Sequence, residues 1–402
     1  MLRHQAVLVA VAFLSVGAAC RSGTVRRQVA RNSLGLPPGA PATADATPPS
    51  LPGMPPLANP HDVYAAAARD MIDSVARRAR PLVYVPLGGA ASVAVIDPGS
   101  YRVVRTFETG ALPQHVVPAY DLRTLWVAND LGNSLTPIDP VSGKAGTSVA
   151  VLDPYNLYFT PDGRYALVIA ERAQRLDFRD PRTMALHDSV RVDCKGVDHM
   201  DFSADGRTAL ATCEFSGKIV KLDVATHRVL GYLVLDPGHP SMPQDIRLAP
   251  DGRVFFVADL QADGVFVVDP DSLKRIGFIP TGIGAHGIYP SRDGRLFYVS
   301  NRGSHQLRGR PHGPGSVSVL DPAARRIIAT WTVPGGGSPD MGNVSADGSK
   351  LWLSGRFDQE VYVFDTATGR LLHRIAVGRD PHGLTVWPQP GRYSLGHTGN
   401  MR

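Results

Sequence analysis

VAVID at Val93–Asp97 is followed along the chain by LTPID (Leu135–Asp139), LDFRD (Leu176–Asp180), IVKLD (Ile219–Asp223), VFVVD (Val265–Asp269), VSVLD (Val317–Asp321) and VYVFD (Val361–Asp365). Each alternates apolar residues and closes on Asp, and successive Asp positions lie 42, 41, 43, 46, 52 and 44 residues apart. A second pattern falls between the copies: TPDGR (Thr160–Arg164), SADGR (Ser203–Arg207), APDGR (Ala249–Arg253), SRDGR (Ser291–Arg295) and SADGS (Ser345–Ser349). An Asp-Gly pair between alternating apolar runs is a tight hairpin, because glycine accepts the positive φ of the turn. Each unit is therefore about four short strands. Period-2 alternation and the lack of any long amphipathic segment exclude a helical repeat. Four-stranded units of this period are propeller blades. Pro381–Leu395 repeats the inner part of a blade and Leu82–Gly110 the outer part, so together they predict a seventh blade that closes the ring. The expected fold is all-β: a seven-bladed β-propeller of four-stranded blades over 81–398, with one short helix before it.

LWVAND (Leu125–Asp130), FFVAD (Phe255–Asp259) and FYVSN (Phe297–Asn301) follow the turns. They resemble the signature strand of the YVTN-type (YncE-like) seven-bladed propellers of bacteria, over the whole folded part of the chain. Ala119–Arg123 and Trp387–Gly391 depart from the pattern by replacing the Asp-Gly turn. The resemblance implies the fold; related folds include lactonases, a haem-d1 domain and many binding proteins, and it does not imply an activity.

The N-terminal residues read differently. Arg3 and His4 precede an apolar run, Ala6–Val16, and then Gly17-Ala18-Ala19-Cys20, which is the shape of a secretory signal over 1–20. Gly-Ala-Ala-Cys also resembles a bacterial lipobox, with lipidation at Cys20, although Gly17 stands where a Leu-like residue is usual. Plain cleavage is the alternative. Residues 21–60 are rich in Pro, Ala, Gly and Ser, which predicts a flexible tether. The spacing of Val63, Ala66, Ala67, Met71 and Val75 predicts a short helix over 61–80. No apolar run reaches the ~18–20 residues of a membrane-spanning helix.

The net charge is +6, but residues 1–80 hold nine Lys/Arg against four acids, so the propeller itself is near neutral. The excess suits attachment to an anionic membrane surface and gives no support for nucleic-acid binding. An exported monomer, periplasmic, on the outer face of a bacterial membrane, or secreted, is the expectation.

A site is expected at one mouth of the channel. Counting back from the turns gives seven equivalent pairs: Gln114-His115, Tyr155-Asn156, Asp198-His199, Gln244-Asp245, His286-Gly287, Asp340-Met341 and His382-Gly383. The next strands bring Asn129, Asp130, Glu171, Arg172, Glu214, Asp259, Asn301, Arg302 and Arg356 to the same mouth, and the C-terminal stretch adds His397. His115, His199, Asp245, His286, Asp340, His382, Glu214, Arg302 and Arg356 are the ligand-binding candidates. His115, His199, His286 and His382 are candidate ligands for a divalent Zn, Cu or Ni ion. The bland alternative is a channel whose polar lining solvates water, with opposite histidines too far apart to share an ion. Gly303–Ser316 lengthens the sixth unit and carries His305, Arg308, Arg310 and His312, either a lid or a surface insertion. Cys194 and Cys213 are expected to pair in an oxidising compartment; a Cys/His metal site and free thiols are the alternatives.

No Gly-x-Ser-x-Gly elbow, His-Glu-x-x-His pair, phosphate loop or Cys-x-x-Cys-His haem attachment is present. The seven repeat-closing Asp read as turn formers. Three functions follow in order: a binding module for a small molecule or protein, a metal-dependent hydrolase or lyase of lactonase type, and a protein holding a non-covalent cofactor such as haem.

Overall fold

A computed structural model describes residues 50–402; the expected signal, Cys20 and most of the tether lie outside the described residues. Seven antiparallel sheets form the propeller. We number blades from the first complete one. Blade 1 begins at Pro113–Pro118, blade 2 at Pro154–Phe159, blade 3 at Val197–Phe202, blade 4 at Pro243–Leu248, blade 5 at Ala285–Pro290 and blade 6 at Pro339–Val344. In blade 7 the inner strand Thr385–Trp387 pairs with Leu82–Leu87, followed by Ser92–Asp97 and Arg102–Glu108. Strands from the two ends of the propeller segment thus close the ring. The innermost strands are buried along their length, whereas an outermost strand such as Arg228–Val234 alternates exposed and covered residues. Inner strands are covered by blades on both faces, so even their polar residues, such as Asp198 and Asp201, are buried; the outermost strands face water on one side.

The turn chemistry is that expected from the sequence. Each of the seven repeat-closing Asp carboxylates accepts a backbone N–H two or three residues on, at 2.8–3.0 Å. In the Asp-Gly hairpins Gly163, Gly206, Gly252, Gly294 and Gly348 have φ of +68° to +74°, which an L side chain resists.

Three expectations are corrected. Residues 61–80 form two short 3-10 turns, Ala65–Ala67 and Ala76–Arg78, and not one helix. The segment follows a flat surface of hairpin turns: Val63 N–H donates to Pro250 O at 2.8 Å and Asp70 N–H to Ala346 O at 3.1 Å, and Asp70 itself sits at φ +59°. Those contacts break helical continuity, while Val63, Tyr64, Ala67 and Ala76 still bury their apolar side chains. Second, residues 50–60 are docked as well: Leu51 is buried and its N–H donates to Asp205 O at 2.7 Å.

The third correction concerns the channel. Only Thr385–Trp387 of the expected inner strand joins blade 7. Beyond it the chain turns inward and forms a hairpin, Ser394–Gly396 with Asn400–Met401, that extends the blade 2 sheet at its inner edge. A Cβ on Gly396 would lie 2.4 Å from Leu157 O, so glycine is required for this approach. Asp201 anchors the hairpin, accepting from Asn400 Nδ2 at 2.7 Å and Arg402 Nη2 at 3.2 Å. The guanidinium of Arg402 lies 4.7 Å over the ring of Tyr64, which joins the hairpin to the N-terminal segment. The channel is filled by protein from the Asp-Gly face.

Cys194 and Cys213 are joined by a disulfide with Cα atoms 5.0 Å apart, tying the linker before blade 3 to the second strand of that blade. The bond spans 19 positions, and closing a loop of that size is worth about 3 kcal/mol. Cys194→Ser with Cys213→Ser is therefore expected to lower Tm in thermal unfolding, and an unchanged Tm would show that the bond adds nothing.

Candidate functional site

Every innermost strand carries one extra residue at its mouth end. In blade 3 Val197 pairs with Cys213 and Met200 with Ala211, so three steps on one strand face two on the other. The same slip occurs at Gln244-Asp245, His286-Gly287 and Asp340-Met341, and its one-residue form at Gln114 and Tyr155. In blade 7, Leu87 bridges Pro381 while Tyr84 pairs with Thr385, the same surplus of one. A β-bulge of this kind re-aims side chains that strict alternation would send to one face. Backbone N–H groups freed by the bulge find hydroxyls on the second strand: His199 N–H donates to Thr212 Oγ1 at 3.0 Å, Gly287 N–H to Ser300 Oγ at 2.9 Å and Met341 N–H to Ser354 Oγ at 3.2 Å.

Five imidazoles meet as a result. His115, His199, His286, His382 and His397 are each at most 2% exposed. Ring centroids of His115 lie 4.8 Å from His382, 5.3 Å from His397 and 5.4 Å from His199, and those of His199 and His286 are 6.4 Å apart. The expectation that opposite blades are too far apart is thus corrected: the hairpin delivers His397 into the middle, and Gly383 lets His115 approach, since a Cβ there would lie 2.1 Å from its Nδ1. Two His–Asp–His groups have ligand atoms within 4.8 Å of one another: His199, Asp245 and His397, and His286, Asp340 and His382.

Among these rings, both nitrogens of His115 and His382, Nε2 of His199 and His397, and Nδ1 of His286 find no aligned hydrogen-bond partner within the protein. Several have a carboxylate close by but off-line. His286 Nδ1 is 3.1 Å from Asp340 Oδ1, His382 Nε2 is 3.5 Å from Asp340 Oδ2, and His199 Nε2 is 3.2 Å from Asp198 Oδ1. Burial holds all five histidines well below the usual imidazole range, so they are neutral. Neutral imidazole is the form that ligates a metal.

The other candidates surround this cluster. Arg302 Nε and Nη2 donate to Asp340 Oδ1 at 3.0 and 2.9 Å. Arg356 lies between Asp340 (Nη1–Oδ2 4.0 Å) and Asp380 (Nε–Oδ1 2.8 Å). Glu214 accepts from Gln244 Nε2 at 3.1 Å and interacts electrostatically with Arg302, Arg356 and Asp340. Glu214 couples in turn to Asp198 and Glu171. Burial pushes Asp198 and Glu214 up, and Glu171 up to about 8, helped by repulsion from Glu214 and Asp130. Burial also lifts Asp130 to about 6 against the pull of Arg172.

Asp245 has a structural task besides: its Oδ1 accepts from Ile246 N–H and its Oδ2 from Ile288 N–H in the next blade, both at 2.9 Å. Asn156 and His397, which the sequence leaves without a role, are joined: Asn156 Nδ2 lies 3.1 Å from Nδ1 of both His199 and His397. Gly303–Ser316 is pinned beside the mouth, with His305 Nε2 2.7 Å from Asp263 Oδ1 and His312 N–H bonded to the Asp358 carboxylate, leaving Arg308 and Arg310 exposed.

Fold and site define a seven-bladed propeller with a histidine-rich, plugged channel. The model of the YNCE-like beta-propeller family matches residues 60–390, and the chain belongs to that family. A relative described as "Uncharacterized protein YncE" from Salmonella typhi is 21% identical over 288 residues, covering 64% of this chain and 73% of the relative. The periplasmic gluconolactonase PpgL of Pseudomonas aeruginosa superposes with a TM-score of 0.62 at 20% identity, covering 77% of this chain and 99% of its own. The dihydro-haem d1 dehydrogenase NirN superposes at 0.56 with 17% identity, over 83% and 82% of the two chains. At these identities both structures share the fold alone.

A carboxyl with a raised native pKa binds its proton more tightly folded than unfolded, so its contribution to stability is lost as pH rises. For Glu171 the window runs from the ordinary value of 4.5 to about 8. Glu171→Gln is expected to flatten the fall of Tm between pH 5 and 8; an unchanged slope would show that Glu171 ionises normally.

Proposed function

We propose that this protein is an exported, membrane-tethered binding propeller whose ligand is a divalent transition-metal ion held in the channel. The observation that carries this reading is the set of buried imidazole nitrogens without protein partners beside Asp245 and Asp340. A buried polar atom left unpaired costs about 1–3 kcal/mol, and here several converge on one point. Neutral imidazole with carboxylate is a donor set for Zn, Ni or Cu. The rings face one another at 4.6–6.4 Å, a spacing suited to an ion rather than to the plane of a tetrapyrrole. Bound ion would orient and hold the channel residues; the mouth then presents Glu171, Glu214, Arg302 and Arg356 to a small molecule or a protein partner.

Metal analysis of untagged protein, with thermal unfolding in added Zn(II), Cu(II) or Ni(II), tests the reading. An ion in hundredfold excess over Kd stabilises by about 2.7 kcal/mol, so Tm should rise. Metal-free protein with no shift in Tm would point to ordered water in the channel and end the metal reading.

A second reading, a metal-dependent hydrolase, draws on Glu171: a carboxylic acid held protonated up to about 8, coupled to Glu214 and Asp198, is a candidate general acid. The likeness in fold to a gluconolactonase points to sugar lactones as first substrates to try. Turnover by metal-loaded protein that falls at least 100-fold in Glu171→Gln would establish it, and no turnover of sugar lactones would leave the binding module.

Attachment through Cys20 and export rest on the N-terminal sequence, and the Cys194–Cys213 bond is in keeping with an oxidising compartment. Cys20→Ser is expected to move the protein from the membrane fraction to the soluble fraction; unchanged fractionation would exclude a lipid anchor at that residue.

A further inference from the structure

The two His–Asp–His groups look equivalent by distance, yet their hydrogen bonds separate them. In the first group, Asn156 Oδ1 accepts from Leu157 N–H at 2.9 Å, which turns the Nδ2 amino group toward the histidines. That amino group lies 3.1 Å from Nδ1 of His199 and of His397, so both Nδ1 atoms are acceptors and both Nε2 atoms carry the ring proton. The Nε2 positions accordingly face carboxylates: His199 toward Asp198 at 3.2 Å and His397 toward Asp245 at 3.6 Å. A ligating histidine needs a free lone pair, and in this group both Nδ1 lone pairs face the Asn156 amino group while both Nε2 carry the proton. Asp245 is also committed, to two backbone N–H groups.

In the second group Arg302 holds one oxygen of Asp340 and Arg356 Nη1 stands 4.0 Å from the other, but no side-chain amide fixes a histidine tautomer. His286 Nδ1 and both nitrogens of His382 have no aligned partner, and neither has Asp340 Oδ2. Arg302 holds the other oxygen of Asp340, fixing the carboxylate as an outer partner fixes a metal ligand. The distances from His286 Nδ1 and His382 Nε2 to the Asp340 oxygens are 3.1 and 3.5 Å. The 3.5 Å to Oδ2, the oxygen that Arg302 leaves free, is close to the roughly 3.4 Å edge of a tetrahedron with metal–ligand bonds of about 2.0–2.1 Å, while the 3.1 Å is to Oδ1. His115 has no partner on either nitrogen and its ring lies 4.8 Å from that of His382, but it stands outside the group of three whose ligand atoms lie within 4.8 Å of one another.

We infer that the ion sits on His286, His382 and Asp340, and that His199, Asn156 and His397 form a hydrogen-bonded lock that seats the hairpin. This rests on the metal reading above and specifies it: three protein donors leave the fourth position of a tetrahedral ion open to water or a ligand. Binding joins the ion to lone pairs already free, so the two imidazoles lose no proton.

Single variants His286→Ala, His382→Ala, His199→Ala and His397→Ala, titrated as apoprotein with Co(II), test the assignment through the visible absorption of tetrahedral Co(II). Loss of His286 or His382 should weaken binding at least 100-fold. Loss of His199 or His397 should change affinity less than threefold, while speeding amide hydrogen exchange in 394–401. The reverse pattern overturns the assignment and leaves the metal reading in place; no Co(II) binding by the parent protein removes both. Asp340→Asn, which keeps the shape of the carboxylate, should also lose the ion, and unimpaired binding there counts against the assignment even if an alanine variant misfolds.

Discussion

One surplus residue in each innermost strand is the constraint on which the site depends. A regular strand sends alternate side chains to opposite faces, and in a propeller both faces of a blade are packed against neighbours. An unbulged inner strand would bury half of these polar side chains between blades. The bulge removes a rung from the ladder at the mouth, and the second strand must satisfy the released N–H groups. Thr212, Ser300 and Ser354 do this in blades 3, 5 and 6. The hydroxyls are therefore as much part of the site's position as the histidines they hold in place.

Polar residues deeper in the inner strands have a different task. Asp201 accepts from Leu248 N–H, Asp245 from Ile288 N–H, Asn343 from Val386 N–H, and the Tyr158 and Tyr289 hydroxyls from Met200 and Gly342 N–H. Each bond crosses to the next blade. A backbone N–H at the axis has no strand to pair with on its inner side, and a side chain from the preceding blade supplies the acceptor. These charged and amide groups are buried because they close the ring, which explains why Asp245 stands close to two histidines while its oxygens are occupied elsewhere.

The blades were legible because they repeat. Seven copies of an alternating pentapeptide and five Asp-Gly turns state strand, turn and period independently, and a local rule read seven times is robust. The mouth positions followed from the same count: His115, His199, His286, His382 and Asp340 occupy equivalent places, so one register located them all. What does not repeat was not legible. The hairpin beyond Pro388 has no counterpart in other blades, and its place is set by contacts across more than 150 positions, such as Asn400 with Asp201. The 61–80 segment has helical spacing, but its own backbone bonds close only short turns, and between them Val63 and Asp70 N–H go to Pro250 and Ala346. A polar residue inside an inner strand, such as Asp201 or Arg247, was a signal that something polar must meet it, although the sequence did not say what.

The hairpin also links the stability of the ring to the state of the cluster. Arg402 and Asn400 satisfy Asp201, a carboxylate with no exposure to water, and Arg402 covers Tyr64 from the N-terminal segment. Removing Arg402 would take from Asp201 its ion-pair partner, which costs more than the bond itself contributes. The same hairpin places His397 against Asn156, whose amide also faces His199. The orientation of two rings in the cluster is thereby fixed by a segment anchored a full strand length away, at the opposite end of the channel. Depth of insertion, tautomer and ring position are set together, so a disturbance at Asp201 on the turn face reaches the histidines on the mouth side through one short hairpin.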